Sequence, residues 1–251
     1  MWLLTLAIFL LGLCVGSFLN VVIFRVHDGE SFVRGRSKCR TCEEPLGIRD
    51  LVPVLSYLNL RGRCRGCKNV IAWQYPAVEL ATGALFILAY THAGVTIQFV
   101  RDAVFASFLV IIFVYDLRHM LIIDRFTIPA IIFAIIVNLW LGFIPAWSLL
   151  AGGLVLSAFF WIQFLVSRGT WVGGGDIRMG ALMGFMLGLE QGLVALFLAY
   201  VFGAIVGGAL LLAGKVNRKT PIPFGTFLAT STLAVMFVGA PMVQWYLRLF
   251  N

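Results

Sequence analysis

The 251 residues are 61% hydrophobic and only 12% charged, with 19 Lys and Arg against 11 Asp and Glu. A soluble domain needs roughly twice that share of charged residues for its hydrated surface, so the composition excludes a soluble globular protein. The net charge of +8 is concentrated in one segment and at the ends of apolar runs. This distribution favours a membrane topology and contact with anionic lipids over a nucleic-acid partner.

The apolar runs predict an all-α, polytopic membrane protein with about eight transmembrane helices. A spanning helix needs about 20 apolar residues, and shorter segments are tolerated inside a bundle. The first run lacks a basic start and is too long for the core of a signal peptide, so we expect a retained span. The predicted spans are 1–26, 76–94, 99–117, 126–145, 147–167, 177–189, 191–213 and 225–247.

The distribution of basic residues predicts how these spans are oriented. An even number of spans with both termini outside places nearly all of the Lys and Arg between spans on the cytoplasmic side, as the positive-inside rule requires. The cytoplasmic loops are then 27–75, 118–125, 168–178 and 214–221, and they include Arg34, Arg118, Arg168, Arg218 and Lys219. The loop at 27–75 is too small to build a core by itself, so it needs a staple or docking to the membrane.

Four cysteines in this long loop form two pairs with metal-ligand spacing. Cys39 and Cys42 are separated by two residues, as are Cys64 and Cys67. Two such pairs supply the four thiolates of a tetrahedral structural Zn²⁺ site, and neighbouring arginines would stabilise its negative charge. Reduced, unligated thiols or redox-active pairs are the alternatives. Four thiolates leave no open coordination position, so the role predicted for zinc is to fold the loop.

Two aspartates at the ends of apolar segments are the candidate catalytic pair. Asp116 ends a strongly apolar run, and Asp176 follows three glycines at the start of a short span. A carboxylate in the membrane is costly, and the predicted topology brings both to the cytoplasmic side. Two close carboxyl groups supply an acid and a base, which is the chemistry of aspartic proteases. Asp124 and Asp102 are each next to an arginine and are expected to be solvated helix ends.

Two other functions are compatible with intramembrane carboxylates. A transporter or channel would use them to bind cations, with the cysteine loop as a zinc-binding regulator. The position of both aspartates at the membrane edge and the absence of a visible inverted repeat argue against this alternative. A scaffold for a secretion machine would need the cysteine loop and neither aspartate, and no residue pattern favours it.

Nearly the whole chain resembles the type IV prepilin leader peptidases, through a series of motifs in the same order. Any one of these motifs is modest evidence, and all of them in order are strong evidence. The motifs lie at Gly16–Arg25, Cys39–Cys42, Pro53–Leu58, Arg61–Cys67, Tyr75–Leu80, Asp116–Pro129, Gly173–Met179 and Pro221–Gly225. The family often has Leu-Pro-Asp where Ile122, Ile123 and Asp124 stand here.

The resemblance implies a bacterial inner-membrane aspartic endopeptidase with Asp116 and Asp176 as its catalytic pair. Such enzymes remove a short basic leader from prepilins and pseudopilin precursors at the cytoplasmic face. Members with the cysteine loop often also methylate the new N-terminus with S-adenosylmethionine. The resemblance thus implies a first helix at 1–26, a zinc and methyltransferase loop at 27–75, and a peptidase domain at 76–251. For Glu79, a place in the methylation site and a helix-end role both stay open.

Overall fold

The computed structural model describes residues 2–217 and 220–248, and within these ranges the chain is helical with no strand. A 3-10 turn at Ile48–Asp50 precedes a short helix in the long loop. The helices, in chain order, are α1 (Trp2–His27), α2 (Leu55–Asn59), α3 (Gln74–Ala93), α4 (Ile97–His119), α5 (Asp124–Leu141), α6 (Ala146–Ser167), α7 (Gly174–Leu212) and α8 (Phe224–Arg248).

Every predicted apolar segment coincides with a helix. Five of the described helices, α1, α4, α5, α6 and α7, are long and apolar enough to cross a bilayer. The all-α, multi-pass class is therefore confirmed, whereas the figure of about eight spans stays a prediction. Arg218 and Lys219, assigned above to a cytoplasmic loop, lie outside the described residues, as do residue 1 of the first span and residues 249–251.

The chain divides into two units, Met1–Ile111 and Ile112–Asn251. In the first unit, α1 packs against α3 through glycines that let the two backbones approach closely. A Cβ added at Gly12 would lie 2.7 Å from the Gly83 Cα, and one added at Gly16 would lie 2.7 Å from the Glu79 Cα. These positions therefore need glycine because of contact between the helices.

In the second unit, α7 packs against α6 and α8 and is broken in the middle. Gly188 has φ 76° and ψ −174°, which interrupts the helical hydrogen bond between Leu189 and Phe185. Ser148 Oγ accepts the Leu189 N–H at 3.0 Å, and Asn138 donates to the Phe185 carbonyl at 2.8 Å. Both freed backbone groups are satisfied, as a break inside a membrane helix requires. Separate spans at 177–189 and 191–213 were predicted, and the break falls beside their boundary.

The expectation that Asp102 is a solvated helix end is wrong. Its side chain is completely buried in the first unit. Arg101 donates to Asp102 Oδ1 from Nε at 2.9 Å and from Nη2 at 2.8 Å, and His92 Nδ1 lies 3.3 Å from Oδ2. An arginine next to an aspartate in the sequence is compatible with either an exposed or a buried carboxylate. Here Arg101 neutralises a buried one.

Candidate functional site

Asp116 lies in the last turn of α4, where its carboxylate meets the start of α8. The side chain is 4% exposed. The Thr226 N–H in the first turn of α8 donates to Asp116 Oδ2 at 2.7 Å. A Cβ added at the preceding residue, Gly225, would lie 2.8 Å from the same oxygen. Asp116 therefore satisfies a free N–H at a helix N-terminus, and glycine is needed there because the carboxylate is so close.

Asp176 is held in a similar way at the start of α7. It occupies the first turn of the helix and is 9% exposed. The Gly173 N–H at the N-cap donates to Asp176 Oδ2 at 2.8 Å. This reciprocal capping contact fixes the side chain at the positive end of the helix dipole. Both candidate aspartates are thus buried carboxyl groups, each oriented by a backbone N–H.

Ile122, in the connection between α4 and α5, packs against the first turns of both α7 and α8. A Cβ added at Gly175, next to Asp176, would lie 2.8 Å from the Ile122 Cβ. A Cβ added at Gly225 would lie 2.8 Å from the Ile122 Cδ1. The Asp116 and Asp176 carboxyl groups are also close enough to interact electrostatically. The structure therefore brings the predicted pair together in the second unit, with Ile122 between their glycine neighbours.

Asp124 and Arg178 link the same connection to α7. Asp124 is the first residue of α5, and its Oδ1 lies 2.8 Å from Arg178 Nη2, although Arg125 is its sequence neighbour. The Arg178 Nε is buried and has no hydrogen-bond partner among the described residues. Asp124 was correctly expected to be exposed, but its partner is two residues beyond Asp176. Arg178 was missed by the sequence reasoning, although it belongs to the motif that contains Asp176.

The four cysteines lie together in the long loop of the first unit. Their sulfur atoms are all within 4.8 Å of one another, and Cys39 Sγ lies 3.9 Å from Cys67 Sγ. The two pairs have the same backbone geometry, with Cys39 N–H donating to the Glu44 carbonyl at 2.9 Å and Cys64 N–H to the Asn69 carbonyl at 2.8 Å. Each pair therefore forms a tight turn whose thiols point at one shared position.

The environment of the cluster suits a metal ion. Hydrogen bonds from the backbone of Cys42 and Thr41 lower the pKa of the Cys39 thiol to about 6. At Cys67, burial and the neighbouring thiols outweigh a backbone hydrogen bond from Asn69 and raise the pKa to about 11. Cys39 is therefore the thiol that is mostly thiolate at neutral pH, and the thiolate is the form that binds metals. Four sulfur ligands at these distances fit a tetrahedral ion such as Zn²⁺. The cluster is thus able to hold a metal ion, as the spacing predicted.

Two further contacts attach the loop to the helices of its own unit. The Arg25 guanidinium, at the end of α1, donates to four loop carbonyls at 2.8–3.2 Å, those of Ser31, Arg34, Gly35 and Arg36. Glu79 of α3 is 6% exposed and accepts the Val54 N–H at 2.8 Å. Val54 has φ 59°, a conformation that needs support from its surroundings. Glu79 therefore anchors the loop segment around Val54.

The fold and the two sites define a multi-pass membrane protein with a pair of helix-end carboxyl groups and a four-cysteine cluster of metal-binding geometry. Residues 10–93 match the family model described as the Bacterial Peptidase A24 N-terminal domain. Residues 103–208 match the model of the Type IV leader peptidase family. The chain belongs to the type IV leader peptidase family.

Curated relatives agree with this assignment along almost the full chain. The chain is 32% identical over 247 residues to a prepilin leader peptidase/N-methyltransferase of Bacillus subtilis, covering 96% of this chain and 97% of that protein. A protein of the same name from Aeromonas salmonicida is 31% identical over 275 residues, with 98% and 94% covered. One from Myxococcus xanthus is 38% identical over 218 residues, with 85% and 65% covered. No solved structure matches. These findings give no support to the transporter alternative.

Proposed function

We propose that this protein removes the short basic leader from type IV prepilins and pseudopilin precursors, and then N-methylates the new N-terminal residue. Family membership supports the peptidase activity, and the shared name of the relatives supports both activities. The observation that supports the peptidase half is that Asp116 and Asp176 each accept a backbone N–H at a helix N-terminus, with Ile122 packed beside the glycine next to each contact. We assign these two residues as the catalytic pair.

The pair works as one acid and one base. Two close carboxyl groups cannot both ionise cheaply, so they share a proton and titrate as a unit. The ionised group takes a proton from a water molecule, and the water oxygen bonds to the scissile carbonyl carbon. The protonated group gives its proton to the carbonyl oxygen. When the carbon–nitrogen bond breaks, the departing amine takes up the proton that came from the water, and the other carboxyl group regains its proton from a hydroxyl of the tetrahedral intermediate.

The surrounding residues hold the two carboxyl groups in position. The amides of Thr226 and Gly173 each occupy one carboxylate oxygen. The remaining oxygens are then available for water and for the scissile carbonyl. Ile122 sets the spacing between the helix starts, because it fills the space beside Gly175 and Gly225. Such positioning matters because misplacement by about 1 Å can slow a reaction by about 100-fold.

The loop of the first unit supports the second activity. Cys39, Cys42, Cys64 and Cys67 would hold Zn²⁺, whose role is to fold the loop. S-adenosylmethionine supplies an electrophilic methyl group to the new N-terminal amine. We accordingly assign 27–75 to metal binding and methyl transfer, and 76–251 to the peptidase, with 1–26 as the first helix.

The protein is proposed to reside in the bacterial inner membrane with the cysteine loop and both aspartates at the cytoplasmic face. Basic residues in the predicted loops support this orientation. Membrane lipids cover the outer surfaces of the helices. Exposed tryptophans near helix ends, such as Trp2 at 91%, Trp140 at 81% and Trp73 at 77%, suit the membrane–water interface.

Mass spectrometry of a pilin-type precursor tests both activities. The purified full-length protein in detergent is incubated with the precursor and S-adenosylmethionine. Loss of the leader and a gain of one methyl mass on the mature product are the expected results. An intact precursor, with a folded enzyme, would contradict the peptidase assignment. Cleavage without methylation would contradict only the second activity.

A further inference from the structure

The 3-10 turn and α2, both in the long loop of the first unit, carry an exposed apolar surface. Ile48 and Leu51 are three residues apart at the turn, so they lie on one side of it. Leu55 and Leu58 have the same spacing on α2, and the two elements pack against each other. These four side chains, the α2 surface, are 42–87% exposed. Large apolar side chains grouped in this way mark a binding surface.

Contacts inside the first unit place the α2 surface at the level of the membrane helices. Val54, the residue before α2, donates its N–H to Glu79 of α3 at 2.8 Å. A Cβ added at Gly16 would lie 2.7 Å from the Glu79 Cα, and the Phe24 ring stacks on Tyr75 with centroids 5.1 Å apart. The start of α3, and Val54 with it, therefore lies alongside the C-terminal half of α1. That helix is long and apolar enough to cross a bilayer, so its end marks the membrane surface.

The same loop segment is strongly positive. Residues 48–65 contain four arginines and one aspartate. Arg65 donates to this aspartate, Asp50, from Nε at 3.0 Å and from Nη2 at 2.8 Å. Within residues 2–217 and 220–248, the other three guanidinium groups, those of Arg49, Arg61 and Arg63, make no ion pair or side-chain hydrogen bond. Positive charge next to an exposed apolar surface is the combination that binds anionic lipids.

A cavity of about 310 Å³ beside α2 suits a phosphate group. Arg49 and Arg65 line it together with Ser56 and Asn59, and the described residues of its wall include no carboxylate. Guanidinium, hydroxyl and carboxamide groups all donate hydrogen bonds to phosphate oxygens. Leu55 belongs both to the wall of the cavity and to the α2 surface. An anion in the cavity would therefore have apolar protein surface next to it, as the headgroup of a phospholipid has acyl chains.

We propose that the α2 surface enters the surface of an anionic bilayer and that the neighbouring cavity holds the phosphate of an anionic phospholipid. The apolar side chains then lie among the upper parts of the acyl chains, and the arginines lie at the level of the phosphates. This membrane contact is separate from leader cleavage and from methyl transfer. It docks a loop that is too small to build a core of its own.

Charge decides between lipid and precursor as the occupant of this surface. The leader of a prepilin is basic, so the arginines of 48–65 would repel it, whereas they attract the phosphates of an anionic leaflet. The level of the surface beside α1 also favours lipid, because the upper acyl chains lie at that level.

Hydrogen–deuterium exchange of the full-length protein in lipid nanodiscs, followed by mass spectrometry of peptides covering 48–60, tests the proposal. Nanodiscs of phosphatidylcholine alone are compared with nanodiscs that also contain phosphatidylglycerol. We expect slower exchange in 48–60 when phosphatidylglycerol is present, because lipid contact suppresses local opening. In those nanodiscs, Arg49→Gln should speed exchange by about fivefold, the contribution expected of one arginine near an anionic surface. Leu58→Ser should speed it at least as much, because a large apolar side chain is lost from the lipid.

Two variants in the same loop are the matched controls. Arg36→Gln removes an arginine outside 48–65, and Val33→Ser removes an exposed apolar side chain outside the α2 surface. Both should exchange like wild type in 48–60. Unchanged exchange of the peptides from α3 establishes that each variant is folded.

Three results would overturn the proposal. The first is equal exchange of the wild-type segment in the two kinds of nanodisc, or wild-type exchange in either Arg49→Gln or Leu58→Ser. The second is an equal rise in Arg36→Gln, which would indicate a general effect of loop charge. The third is protection that arises only when a precursor is added, because the surface would then bind the precursor.

Discussion

Two adjacent glycines before Asp176 should respond very differently to alanine. A Cβ at Gly174 would have no atom within 4 Å, whereas a Cβ at Gly175 would lie 2.8 Å from the Ile122 Cβ. Carbon atoms in contact prefer about 3.5–4.0 Å, so Gly175→Ala must push the two chain segments apart by about 0.7–1.2 Å. The Ile122 Cβ is attached to the backbone and cannot rotate away.

This displacement is large enough to separate the catalytic pair. A misplacement of about 1 Å can cost about 100-fold in rate, so we expect Gly175→Ala to lower kcat/KM for leader cleavage by about 10- to 100-fold. That range corresponds to about 1.4–2.7 kcal/mol of transition-state stabilisation. Gly174→Ala should cleave like wild type. Its helix should be as stable or slightly more stable, because alanine favours helix over glycine.

The assay is the initial rate of leader removal from a purified precursor, with both variants at matched detergent and protein concentrations. A double variant, Gly175→Ala with Ile122→Gly, removes the colliding atom and should recover part of the lost rate. Equal rates for Gly174→Ala and Gly175→Ala, whether both normal or both low, would refute the role given to Ile122.

Three further perturbations address other parts of the structure. Gly225→Ala should lower the rate of leader cleavage at least tenfold, because the new Cβ displaces the Asp116 carboxylate. Gly208→Ala is the control and should cleave at the wild-type rate, since a Cβ there meets open space. Equal rates for the two variants would contradict this prediction. Ser148→Ala should lower the free energy of unfolding by about 1–3 kcal/mol, because it leaves the Leu189 N–H unpaired at the break in α7. Ser157→Ala, on α6 like Ser148, should have a smaller effect. Denaturant unfolding measures both. Metal chelation should abolish S-adenosylhomocysteine binding, measured by calorimetry, while leader cleavage continues. Unchanged binding after verified loss of the metal would show that the cysteine cluster does not organise the loop.

Much of the fold follows from the amino-acid pattern. Long apolar runs placed the helices correctly because a bilayer tolerates little else. The paired spacing of Cys39 with Cys42 and of Cys64 with Cys67 predicted a metal cluster because two residues between ligands form a turn that aims both thiols at one point. Asp116 and Asp176 were predicted to meet because charge and hydropathy placed them at the same membrane edge.

The remaining features depend on contacts between segments distant in the chain. The break at Gly188 is stable only because Ser148 and Asn138 accept and donate the freed hydrogen bonds. No local pattern distinguishes that glycine from the others in α7. Likewise, helix packing determines that Asp102 is buried and that Asp124 forms its ion pair with Arg178.

The most direct test of the aspartate pair is leader cleavage by Asp116→Asn and Asp176→Asn, followed by mass spectrometry of the precursor. Asparagine keeps the size of the side chain and an oxygen for the backbone N–H, but it cannot ionise or deliver a proton. Glu190→Gln, an exposed carboxyl change on α7 beyond the break, is the matched control. We predict that both aspartate variants leave the precursor intact while Glu190→Gln cleaves it at the wild-type rate. Full cleavage by either aspartate variant would contradict the assignment of the pair.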